Sequence, residues 1–184
     1  MTKFSNDYLL YVGTLQPRKN LVRAIEAFGL LKRDSTLKFV IAGKKGWLYD
    51  EIFEKVKELN LENEVIFTGY VSDEELPELY KNAKAFIFVS LYEGFGLPVL
   101  EAMSYGIPVL TSNTSSLPEV AGDAALLVDP ENTEEIAKGM EQLLTDEKLR
   151  QQLISKGKEQ IKKFSWEKAA KETLQVLEEV AGFK

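Results

Sequence analysis

Hydrophobic positions along the chain follow two alternating patterns. Short apolar runs occupy residues 8–12, 37–42, 64–68, 85–89, 109–111 and 125–128. Runs this short, bounded by glycine or polar residues, predict strands buried on both faces. Between them, apolar residues recur at helical spacing. Leu21, Ile25, Phe28 and Leu31 form one such face; Ile52, Phe53 and Val56 form another within residues 48–59. Leu76, Leu79 and Tyr80 follow Ser72 and Glu75, whose spacing is that of a capping box. Val99, Leu100, Ala102 and Met103 supply the buried side of a helix whose first turn holds Pro98. Three helices are predicted at the end of the chain. Asn132 and Glu135 cap the first, which buries Ile136, Met140 and Leu143; Asp146 caps the second. Ser165 caps the third, with Leu174, Leu177 and Val180 along one face. Residues 1–7 are polar and expected to fray.

Strands that alternate with helices predict an α/β fold with a doubly wound, six-stranded parallel sheet of the Rossmann-like kind. The expected order is 3-2-1-4-5-6, with right-handed crossovers and a switch point between the first and fourth strands. The sequence contains no internal repeat, low-complexity stretch or linker, so residues 1–184 read as a single domain.

The switch point receives two candidate anion sites. After the first strand, Gly13 opens the loop Thr14-Leu15-Gln16-Pro17-Arg18-Lys19-Asn20, which puts Arg18 and Lys19 just ahead of a helix. After the fourth strand comes Glu93-Gly94-Phe95-Gly96-Leu97, then the Pro98 helix. Its glycines let the backbone approach a ligand closely. The helix start offers unpaired N–H groups and partial positive charge, which suits a phosphate. Glu93 and Glu101 flank that site, and carboxylates beside a phosphate fit sugar hydroxyls on either side of it. Taken alone, the stretch is equally a glycine-rich turn with two solvated glutamates, and Arg18 and Lys19 are more simply read as solvated surface cations.

Glu93 and Glu101, separated by GFGLPVL and followed by Ala102 and Met103, resemble the paired-glutamate motif of glycosyltransferase family four, whose members are retaining enzymes of the GT-B type. The likeness extends through GTLQPRKN, AGKKGW, GYVSDEEL, SSLPEVAGDAALLVDP and FSWEKAA, from about Tyr8 to about Val180, and is strongest toward bacterial mannosyltransferases. It implies a donor-binding domain for a nucleotide sugar, with GDP-mannose as a candidate. Glu101 would hold the ribose and Glu93 would lie by the donor sugar. The amides of Phe95, Gly96 and Leu97, together with Gly94, would face the sugar and diphosphate. Arg18 and Lys19, in the segment opened by Gly13, would hold the diphosphate and act with Glu93 as the catalytic set. Many members place Arg directly after that glycine, where this chain has Thr14. Tyr70 and Val71 are the candidates for the nucleotide base. The resemblance further implies a missing N-terminal acceptor-binding domain, a glycan or lipid-linked acceptor, and a cytoplasmic setting, with peripheral contact at the inner face of the membrane open to the full-length enzyme.

Composition narrows the chemistry. The net charge of −6 argues against a general nucleic-acid binder, and no apolar run approaches membrane-spanning length. Cysteine and histidine are both absent, which removes disulfides, thiolate metal sites and the commonest general base. There is no Asp-x-Asp pair for a nucleotide-bound metal, so no metal or other cofactor is expected. Lys44 and Lys45 attract an anion or are solvated loop lysines. A noncatalytic nucleotide-binding or interaction module is the alternative function. A dinucleotide oxidoreductase fits poorly: Val99 stands where a third glycine belongs, and the next strand ends in Thr111-Ser112 rather than an acidic residue. A glycosidase pair would leave the phosphate site without purpose.

Overall fold

The computed structural model describes residues 7–31 and 36–182 of the 184. Six strands form one parallel sheet in the order β3-β2-β1-β4-β5-β6. These are β1 (Tyr8–Val12), β2 (Lys38–Ala42), β3 (Val65–Gly69), β4 (Ala85–Phe88), β5 (Val109–Ser112) and β6 (Leu126–Val128). Leu9 lies opposite Phe39 of β2 on one side and Ala85 of β4 on the other, which places β1 and β4 together at the predicted switch point. β4 and β5 are buried along their whole length, whereas edge strand β3 is largely half-buried. That gradient follows from helices covering both faces of the sheet's middle. Of residues 1–7, where fraying is expected, residues 1–6 lie outside the described residues.

The crossover helices are α1 (Leu21–Leu30), α2 (Asp50–Glu58), α3 (Leu76–Asn82), α4 (Leu97–Ser104) and α5 (Leu117–Ala121). After β6 come α6 (Thr133–Thr145), α7 (Glu147–Gln160) and α8 (Trp166–Ala181). α1 packs against α2 and α6, and α4 against α5 and α7, so two helical layers sandwich the sheet. The caps of the last three helices form as expected. Asn132, Asp146 and Ser165 accept from the amides of Glu135, Leu149 and Lys168. The Ser72–Glu75 box forms only in half. Glu75 accepts from the Ser72 amide at 3.4 Å, and the helix begins later, at Leu76. The face predicted on the last helix is present but uncovered, since every residue of α8 is exposed.

Asn20 fixes the loop ends of this sheet. It sits in the left-handed region at φ 59°, between a 3₁₀ turn at Pro17–Lys19 and α1. Asparagine takes that conformation more readily than most residues. Its buried side-chain amide donates to the carbonyls of Val89, at 3.0 Å, and Pro130, at 2.7 Å. One side chain thus joins the segments that follow β1, β4 and β6. Asn20→Ala leaves two buried carbonyls unpaired and is expected to cost about 2–3 kcal/mol. Urea denaturation of the variant against the parent measures this.

Candidate functional site

The segments leaving β1 and β4 meet through backbone and side chain alike. The Leu91 amide donates to the Arg18 carbonyl at 2.9 Å. The Arg18 guanidinium donates to the Tyr92 carbonyl at 2.6 Å. Glu93 lies between the two cations: its Oε2 is 2.8 Å from Arg18 Nη1, and its Oε1 accepts from Lys19 Nζ at 2.6 Å. Lys19 and Glu93 are each only 8% exposed, and Arg18 is half-buried. The Lys19 ammonium also lies 4.8 Å from the centre of the Phe88 ring, whose face favours a cation. Arg18, Lys19 and Glu93 were each expected at this edge. The structure brings them together as one ion-paired cluster.

The cluster's charges settle its electrostatics. Burial alone would push the Glu93 carboxyl up. Hydrogen bonds from Lys19 and Arg18 outweigh burial and hold the carboxyl below the ordinary range. The Ser90 hydroxyl adds to that field, yet it is buried and makes no well-formed hydrogen bond. Two cations against one carboxylate leave the cluster net positive.

A third loop holds the Glu93 segment. The Glu93 amide donates to Ser115 Oγ at 3.1 Å. The Ser116 hydroxyl donates to the Phe95 carbonyl at 2.7 Å and lies 3.0 Å from that of Glu93. The resemblance covers Ser115 and Ser116 within SSLPEVAGDAALLVDP, but neither serine is among the expected site residues. The paired serines ahead of Leu117-Pro118 were the available signal. Gly96 caps α4 at φ 112°, and a Cβ there would approach Leu117 to 2.8 Å, so both conformation and space require glycine. Pro98 lies in the first turn of α4. The Gly96 and Leu97 amides precede any intrahelical acceptor. Gly94, Phe95 and Leu97 are exposed around this helix start.

Glu101 is exposed on α4 and accepts from the Tyr80 hydroxyl at 3.2 Å, a partner absent from the sequence-based set. Gly13 ends β1, and its amide donates to the Ala42 carbonyl. At the end of β3, Tyr70 is 65% exposed with the Lys44 ammonium 4.4 Å from its ring centre, and Val71 is half-buried. Tyr70's ring contact is with Lys44, which is not a member of the Arg18–Lys19–Glu93 cluster. Lys45 lies over the rings of Tyr49 and Phe53 instead of pointing at that cluster. No group of three or more Asp, Glu, His or Cys gathers at one point among the described residues, and no described helix is long and apolar enough to cross a membrane.

Comparison with known proteins identifies the family. The sequence pattern of the glycosyl transferases group 1 matches residues 3–160. The chain belongs to the group 1 glycosyltransferases. Among relatives of this family, O-antigen chain mannosyltransferase B of Escherichia coli is 42% identical over 169 residues, covering 91% of this chain and 44% of that protein. The chain therefore spans less than half the length of that relative. The C-terminal domain of a group 1 glycosyltransferase, LpcC of Francisella tularensis, superimposes with a TM-score of 0.77 at 28% identity, covering 88% of this chain and 87% of that domain. Anabaena HepE, solved with UDP and glucose, has the same fold, with a TM-score of 0.84 at 21% identity over 95% of this chain and 49% of that one. The six-stranded sheet is thus the Rossmann-like unit of GT-B glycosyltransferases.

The depressed Glu93 carboxyl has a consequence for stability. Its contribution is present above the ordinary glutamate value of 4.5 and is lost as pH falls below that value through the folded one. Glu93→Gln is expected to lower neutral-pH stability by about 2–3 kcal/mol, because two cations lose their counter-charge. The variant should also lose stability less steeply on acidification than the parent. Urea denaturation between about pH 3 and pH 6 separates the two curves.

Proposed function

We propose that this chain is the donor-binding domain of a retaining hexosyltransferase. Its donor is a nucleoside-diphosphate sugar, with GDP-mannose the favoured one, and its acceptor is a glycan or lipid-linked glycan. The observation that carries this reading is the convergence of Arg18, Lys19 and Glu93 with the start of α4 at the switch point. The 42% identical mannosyltransferase supports the sugar.

In this reading the diphosphate lies against Arg18, Lys19 and the Gly96–Leu97 amides. Sugar transfer turns that diphosphate into a leaving group, and its growing negative charge needs stabilisation where it develops. Fixed cations and a helix start supply it without reorganisation and without a metal. Lys19 has three donors, so it keeps Glu93 and still reaches a phosphate oxygen. Glu93, held between the cations, faces the donor sugar. Glu101 takes the ribose hydroxyls, and Tyr70 and Val71 flank the base. Arg18 is the accessible member of the cluster, so its removal leaves Glu93 with Lys19. Arg18→Gln is expected to weaken binding of GDP and UDP about tenfold while sparing the nucleosides. Isothermal titration calorimetry on the folded variant tests this; unchanged diphosphate affinity contradicts the site.

The acceptor would be held by a second, N-terminal domain of the whole enzyme, which this reading places against the carboxyl edge of the sheet and α8. The chain's coverage of 44% of its mannosyltransferase relative supports this, as does the exposure of Trp166 at 80% and Val180 at 83%. Positioning of an acceptor against a donor carbon supplies about 7–11 kcal/mol in well-oriented systems. The 184-residue chain alone is therefore expected to bind donor and form no glycosylated product. Mass spectrometry with nucleotide sugars and lipid-linked or oligosaccharide acceptors checks this, and efficient turnover by the chain alone would refute it.

A further inference from the structure

We infer that Tyr80 is a positioning residue for the ribose-binding carboxylate of Glu101; this rests on the donor reading above. Glu101 is exposed on α4, and an exposed glutamate normally samples many rotamers. Here its Oε2 accepts from the Tyr80 hydroxyl at 3.2 Å. Tyr80 is fully buried on α3, a different crossover helix. Its ring stacks on Tyr105 at a centroid distance of 5.0 Å and 10°, and tilts against Phe86 at 5.5 Å. A ring wedged between two aromatics has little rotational freedom, so its hydroxyl is a fixed point.

The chemistry matches that role. Burial, followed by the Glu101 charge and the hydrogen bond to it, pushes the Tyr80 phenol far up, so it remains a donor at any working pH. A carboxylate has two oxygens and about four acceptor sites. Tyr80 takes one site on Oε2 and leaves Oε1 for vicinal hydroxyls such as those of a ribose. Fixing a glutamate side chain before the ligand arrives removes an ordering cost that binding would otherwise carry. Tyr105, just beyond the end of α4, keeps the ring in register with the helix that bears Glu101.

A purely structural role, in which Glu101 merely satisfies a buried phenol, predicts a stability loss in Tyr80→Phe but no ligand selectivity. The two roles separate when the folded chain is titrated with GDP and UDP, and then with the 2′,3′-dideoxy analogue of whichever binds more tightly. Tyr80→Phe is expected to weaken the ribonucleotide about three- to tenfold and leave the dideoxy analogue unchanged. Glu101→Ala should show the same selectivity, and adding Tyr80→Phe to it should cost nothing more. If Glu101→Ala discriminates between the ligands and Tyr80→Phe does not, Tyr80 has no positioning role while the donor reading stands. If Glu101→Ala fails to discriminate, or the parent binds neither nucleotide, the donor reading falls and this inference with it.

Discussion

The contact between the buried Lys19 ammonium and the buried Glu93 carboxylate, 2.6 Å apart, is the interaction around which the site is arranged. Removing two charges from water costs several kcal/mol for each ion, and their attraction offsets this only with good geometry and further hydrogen bonds. Both conditions hold, since Arg18 takes the other oxygen of Glu93 and Phe88 presents its ring to Lys19. A buried ion pair of this kind is nevertheless weak evidence of stabilisation, because well-packed apolar residues often serve a fold as well or better. In the proposed donor site, its place at a strand-order reversal, with two cations to one anion, would prepare the edge for an incoming anion. The partners are far apart in sequence, and the topology alone makes them neighbours: β1 and β4 are adjacent only because the winding reverses there.

Rigidity around the cluster comes from contacts with no chemistry of their own. Asn20 ties together the segments after β1, β4 and β6, and Ser115 and Ser116 fasten the Glu93 loop from beyond β5. Gly96 lets that loop turn into α4 where any side chain would strike Leu117. Each strand end near the site is therefore held by a neighbour's loop, so the cations and the helix start keep a fixed relation to one another. Preorganised charge is what electrostatic stabilisation of a leaving group requires.

The sheet was legible because parallel strands buried on both faces announce themselves as short apolar runs, and β1 matches its expected limits residue for residue. Glu93, Glu101, Arg18 and Lys19 were legible as residue types placed at strand ends and a helix start. The switch-point topology put Lys19 and Glu93 on one edge although they lie 74 positions apart, but the direct ion pairing of Glu93 with Lys19 and Arg18 depends on side-chain geometry that no sequence pattern carries. Tyr80 stayed hidden for a related reason: a tyrosine at a helical spacing reads as core, and its hydroxyl's partner lies on another helix. The Ser72–Glu75 spacing suggested a helix start that forms three residues later, because Pro77 suits the first turn of a helix beginning at Leu76. Ser115 takes a left-handed conformation at φ 59° that no local pattern announced.

α8 shows most clearly what a single sheet leaves open. Apolar residues run along it from Trp166 through Leu174 and Leu177 to Val180, yet all sixteen of its residues are exposed. An isolated helix of that length is marginal in water, and an apolar face exists to be buried. The chain before α8 is not loose: the Phe164 ring meets Phe95 edge-on at 5.7 Å, and Phe95 belongs to the Glu93–Leu97 loop. The root of α8 is thus in contact with the loop at the start of α4. The uncovered helix is therefore rooted beside the Glu93–Leu97 loop. In the proposed two-domain enzyme, a domain seated on the apolar face of α8 would lie next to the Glu93–Leu97 loop, already fastened by Ser115 and Ser116, and so beside the proposed donor site.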